Sequence, residues 1–122
     1  MNAAYITTVG KIRKAINEND FRLIADKILE GCNIFLLITP SNSEIQSWEN
    51  SIPPFINALS TTCDSLPIII EFKMPIGNER ADLVLLGGEN RAIVIELKHW
   101  GKSKISKYKD IENQVVLGEL RR

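Results

Sequence analysis

The sequence predicts a mixed α/β (α+β) domain in which helices pack on a small central β-sheet. Two observations predict it. Apolar residues through the first half recur at helical spacing, and after "TTCDSLP" the pattern changes to short β-rich runs. A chain of 122 residues fits one domain, and 44% apolar with 25% charged residues can build a packed core.

The helical part begins with Val9, Ile12 and Ile16, then Phe21, Leu23, Ile24, Ile28 and Leu29, on either side of a polar "NEND" break. Asp20 can cap the second segment and Gly31 can end it. "NIFLLITP" fits either a short buried strand or a loop that fills the core. Residues 1–40 therefore read as a helical N-terminal extension, and 41–122 as the core of a single domain, 1–122.

That core starts at Ser41, which with Glu44 has capping-box spacing, as Ser43 has with Gln46. Ile45, Trp48, Ile52, Phe55, Ile56 and Leu59 form one helical stripe, which assigns Trp48 to core packing. Pro53 and Pro54 predict a kink or a restart, because each removes a backbone donor. "PIIIEFKMP", "RADLVLLGG" and "RAIVIELKHW" then predict three consecutive antiparallel strands with both faces covered. A lysine-rich connection leads to a last amphipathic helix, "DIENQVVLGELRR".

Several function classes are disfavoured by composition. Fifteen Lys and Arg balance fifteen Asp and Glu, so any signal for a charged partner must be local. Cys32 and Cys63 lack metal-type spacing and read as buried thiols of a reducing cytoplasm. "MNAAYITTVGKIRK" has no signal-peptide core, and no apolar run approaches the roughly 20 residues needed to span a bilayer. There is no glycine-rich phosphate loop, and a lone His99 gives no support to a Ser or Cys triad.

The positive signal is ionisable residues on apolar strands. Glu96 and Lys98 share a strand face by alternation, and a hairpin turning about Glu89, with Gly88 left-handed, sets Asp82 opposite Glu96. Facing carboxylates call for a cation between them. Magnesium or manganese fits an oxygen donor set of Asp82, Glu96 and the Leu97 carbonyl. Hydrolysis of a phosphodiester follows as the expected chemistry, with Lys98 orienting water or stabilising charge on the phosphate. From Lys98 to Lys109 the chain has five lysines and no acid, with Trp100 and Tyr108 interleaved. Lys98, Lys102, Lys104 and Lys107 can neutralise backbone phosphates and the aromatics can stack on bases, so DNA is the expected partner.

"RADLVLLGGENRAIVIELKHW" resembles the core of the PD-(D/E)XK nuclease superfamily, with Asp82 as the first acidic position and Glu96-Leu97-Lys98 as the E-x-K element. "SEIQSWENSI", "IIIEFKMP" and "ERAD" are similar to the N-terminal nuclease-like domain that precedes P-loop, helicase-like ATPase regions in bacterial proteins. The resemblance covers the chain from about residue 41 onward. It implies a restriction-endonuclease-like core of order α-β-β-β-α-β, one- or two-metal DNA cleavage, an auxiliary carboxylate at Glu44 or Glu71, and a helix glutamine matched by Gln114. Ala81 replaces the usual proline before Asp82. A fourth core strand is not visible after the last helix, so the resemblance implies a core shortened at its C-terminus, or one completed by a partner chain or a second copy. A metal-dependent nuclease is thus the leading expectation. A non-catalytic module that binds nucleic acid or assembles with a partner is the alternative.

Overall fold

The computed structural model describes residues 2–75, 77 and 79–97, together with the backbone of 119–121. Strand β1 (Ala3–Thr8) is followed by helices α1 (Val9–Asn17), α2 (Phe21–Ile34) and α3 (Asn42–Ala58). A short 3-10 turn then leads into β2 (Pro67–Lys73), β3 (Arg80–Leu86), β4 (Arg91–Ile95) and β5 (Glu119–Arg121). The strands form one antiparallel sheet in chain order, so the mixed α/β class holds, with helices packed on a central sheet. The three predicted strands and their antiparallel pairing are all present.

The N-terminal forty residues are not a purely helical extension. Ala3–Thr8 pairs with β2, and Val9, Ile12, Ile24 and Ile28 belong to the same core as Trp48, Ile70 and Leu83. "AAYITT" carries too little periodicity to declare itself, and pairing with β2 decides its state. At the other end, Glu119–Arg121 pairs with β4 rather than closing a helix; the rest of the predicted last helix lies outside the described residues. β1 and β5 thus flank the three expected strands, and the sheet is not short of a fourth.

Thr8 caps α1 by accepting from the Lys11 N–H, and Ser41 caps α3 by accepting from the Glu44 N–H at 3.2 Å, as its spacing predicts. Asp20 occupies the cap position of α2 but accepts no side-chain hydrogen bond there. Gly31 does not end α2. It lies inside the helix, where a Cβ would fall 1.6 Å from the Ala4 carbonyl oxygen, so it permits the helix to touch β1. Prolines 53 and 54 do not interrupt α3, whose stripe of Trp48, Ile52, Phe55 and Ile56 is buried. Burying those four side chains, at roughly 1.5–3 kcal/mol each, offsets the cost of the prolines. "NIFLLITP" is not a strand. Asn33 and Ile34 finish α2, and the segment beyond is irregular, with Leu36 and Ile38 on the core and Leu37 exposed.

Arg13 ties α1 to the segment that leaves α3. Its guanidinium donates to Asp64 Oδ1 and to the Leu59 carbonyl, both at 2.8 Å, holding α1 against the connection between α3 and β2.

Candidate functional site

The strand register places three carboxylates in one cross-strand row. Ile70 pairs with Leu83 and Phe72 with Ala81, so Glu71 lies opposite Asp82. Leu83 pairs with Ile95 at the end of β4, and that register extended by one step brings Glu96 opposite Asp82 from the other side, where its charge acts on the Asp82 carboxyl. This is the register expected of a hairpin centred on Glu89. Its left-handed positions, however, are Glu89 (φ 59°) and Asn90 (φ 63°), not Gly88.

The row sits where β4 stops at Ile95 while β3 continues to Arg80. Beyond the last pair the Leu97 N–H leaves the backbone ladder. It donates instead to Asp82 Oδ2 at 2.8 Å, so a side chain takes over from the ladder and fixes the Leu97 backbone beside the carboxylate.

Glu71 is the least ordinary residue of the row. Within β2 its φ is 55°, a left-handed value that costs a non-glycine residue of order 1–3 kcal/mol and persists only when its surroundings hold it. One hydrogen-bond donor and one cation supply that hold. Trp48 Nε1 of α3 donates to Glu71 Oε1 at 3.1 Å, and Arg80 Nη1 stands 3.3 Å from Glu71 Oε2. Arg80 Nη2 also stands 3.9 Å from Glu44 Oε2, so one guanidinium bridges α3 and β2. Glu44 and Trp48, with Glu71, Arg80, Asp82 and Leu97, line an open pocket of about 410 Å³ between α3 and the strands.

Charge in this pocket is incompletely compensated. Burial pushes the Glu71 carboxyl above the usual carboxylate range, and the charges of Asp82 and Glu44 add to it, against the Trp48 hydrogen bond and Arg80. Asp82 is raised by burial and then by Glu96, with the Leu97 N–H and Arg80 pulling the other way. Behind the site, the buried Cys32 thiol is pushed up to about 11, by burial first and then by Glu71 and Glu44. It remains protonated at neutral pH and offers no thiolate. Cys63, expected to be buried, is half-buried.

The pocket therefore gathers Asp82, Glu71, Glu44 and Leu97, with Glu96 exposed beside it. Lys98, Trp100, Lys102, Lys104, Lys107, Tyr108 and Gln114 lie outside the described residues. Sequence reasoning missed Arg80 as a site residue and missed the indole N–H of Trp48 as a ligand of Glu71. Arg80 had one readable signal, since it precedes Asp82 by two residues and so shares its strand face. The donor set suits a hard divalent cation in kind, being carboxylates whose mutual repulsion Arg80 only partly offsets. Among the described residues, no group of three His, Cys, Asp or Glu side chains is already arranged to hold one.

Comparison with protein-family models, with curated proteins and with solved structures found no match. Among the described residues no helix is long and apolar enough to cross a membrane.

Proposed function

We propose that this chain is a metal-dependent nuclease domain that hydrolyses DNA phosphodiester bonds, and that it is a divergent member of the PD-(D/E)XK superfamily acting in the cytoplasm. The single observation that carries this reading is the row of Glu71, Asp82 and Glu96 at the end of the β3–β4 ladder, with Asp82 fixed by the Leu97 N–H beside an open pocket. A free-standing stabilising role does not account for the row, because like charges opposite one another are unfavourable in a sheet.

Asp82, Glu96 and the Leu97 carbonyl are the groups that would hold Mg²⁺ or Mn²⁺. Such an ion supplies polarisation of a phosphoryl oxygen and a bound water of lowered pKa. The chain's own residues do the rest. Asp82 is oriented by a backbone donor, so its second oxygen is free to ligate. Glu71 and Glu44 are auxiliary carboxylates, oriented by Trp48 and Arg80. Lys98 stabilises charge developing on the phosphate, and the lysines that follow it hold the DNA backbone.

The test is cleavage of labelled single-stranded, duplex and branched DNA with Mg²⁺ or Mn²⁺, comparing wild type with Asp82→Ala and Lys98→Ala. Cleavage abolished in both variants supports the reading. A second reading, a nuclease-like module that binds nucleic acid or assembles with a partner chain without cutting, draws on the lack of a preformed three-ligand group among the described residues. Folded wild-type protein that binds DNA or a partner but never cleaves it would favour that reading.

A further inference from the structure

We infer that Arg80 is the residue in this pocket that receives a backbone phosphate of the substrate, and that Glu71 and Glu44 keep its guanidinium in place for it. This rests on the nucleic-acid reading above and names a residue that neither the strand pattern nor the resemblance supplied.

Arg80 is the only cationic side chain that lines the pocket among the described residues. Carboxylates on two different elements hold it, yet loosely. Its nitrogens stand 3.3 Å from Glu71 and 3.9 Å from Glu44, and it makes no well-aligned hydrogen bond to either. A guanidinium has five donors in a planar fork. Here they are steered by charge but left free for a better acceptor, and the side chain is 31% exposed. A phosphate with two oxygens in plane is such an acceptor.

The cost of the arrangement points the same way. Glu71 holds a left-handed backbone in mid-strand, and its carboxylate is spanned by Trp48 on one oxygen and Arg80 on the other. A strand that needed only an ion pair could have kept extended geometry. The left-handed residue instead aims a buried carboxylate at Arg80 from the sheet while Glu44 meets it from α3.

The pocket's charge then sets a condition. Among the described residues Glu44, Glu71 and Asp82 outnumber the one guanidinium, which disfavours a phosphate there until a divalent cation offsets them. Arg80 should therefore contribute to DNA binding only when such a cation is present. An arginine with a purely structural role would show no such dependence.

The experiment measures the affinity of wild type, Arg80→Gln and Arg80→Lys for labelled duplex DNA over a range of salt, in Ca²⁺ and in EDTA, so that binding is read apart from turnover. In Ca²⁺, Arg80→Gln should bind about tenfold more weakly and lose about one phosphate from the salt slope. Arg80→Lys should keep the slope while binding about threefold more weakly, because it keeps the charge but not the fork. In EDTA the three proteins should bind alike. Wild-type affinity and slope for Arg80→Gln in Ca²⁺, an equal loss in EDTA, or no DNA binding by wild type in either condition overturns the inference. Should Arg80→Gln not fold, Arg80→Lys decides the matter: unchanged affinity in Ca²⁺ overturns it. The nuclease reading is judged separately by wild-type cleavage in Mg²⁺. An Arg80-dependent binder that does not cut retains this inference and loses that one, and a cutting enzyme indifferent to Arg80 does the reverse.

Discussion

The same three strands carry two cross-strand rows of opposite character. At one level Ile70, Leu83 and Ile95 lie side by side, each fully buried under the helices. One step further along, Glu71, Asp82 and Glu96 occupy the equivalent positions. The first row stabilises the fold and the second burdens it, since two of its carboxyls are held above their ordinary range by burial, with the Asp82 charge adding at Glu71 and the Glu96 charge adding at Asp82. Adjacent positions on one sheet thus separate stability from chemistry, and substitutions in the two rows should have opposite consequences.

The largest effect belongs to the apolar row. Leu83→Ala removes a fully buried side chain from the centre of the sheet and should destabilise the protein by about 2–5 kcal/mol in denaturant unfolding. The contrast between the rows is lost if that figure falls below the effect of Asp82→Asn. Asp82→Asn should do the reverse. Asparagine still accepts from the Leu97 N–H, so the fold should be retained or slightly stabilised at neutral pH while DNA cleavage falls on the order of 10²–10³-fold. Activity close to wild type would remove Asp82 from the mechanism.

A smaller effect is expected from pH. Raised carboxyl pKa values mean that the folded state binds protons more tightly than the unfolded chain. The stability contributed by Glu71 and Asp82 is therefore fully present below the ordinary carboxylate range and is lost as pH rises through their elevated folded values. In metal-free buffer, the unfolding midpoint of wild type should fall relative to the double variant Glu71→Gln, Asp82→Asn as pH rises from about 4 to 7. Parallel midpoints across that interval would mean that the row is not electrostatically burdened.

The two rows were unequally legible in the sequence. β2, β3 and β4 announced themselves through β-branched runs between turn residues, and the register followed from a hairpin centred on Glu89, which brought Asp82 opposite Glu96. The Ser41 cap was equally local and equally readable. β1 was not, because Ala3–Thr8 becomes a strand only through pairing with β2, and its neighbours Val9, Ile12 and Ile16 impose a helical pattern. Gly31 looked like a helix end because glycine often ends helices, whereas its reason is contact with Ala4 across a long stretch of chain. Glu71 was visible as a candidate carboxylate, but its left-handed backbone and its clamp by Trp48 and Arg80 depend on α3 docking over β2, which no residue spacing encodes.

The smallest predicted effect asks whether that clamp compensates for its strain. Glu89 and Glu71 share nearly the same left-handed φ, 59° and 55°, but Glu89 is in an exposed hairpin turn and Glu71 is in a buried strand, held by the Trp48 indole and the Arg80 charge. Glycine relieves the strain at either position. At Glu89 nothing else is lost, so Glu89→Gly should stabilise the protein by up to about 1 kcal/mol. At Glu71 glycine also removes the acceptor of the Trp48 indole and one of the two carboxylates facing Arg80, so Glu71→Gly should gain less or be destabilising. Unfolding of both variants by denaturant at neutral pH gives the comparison directly. Equal stabilisation would mean that the contacts around Glu71 contribute nothing to the fold, and that its left-handed backbone is kept for the geometry of the pocket alone.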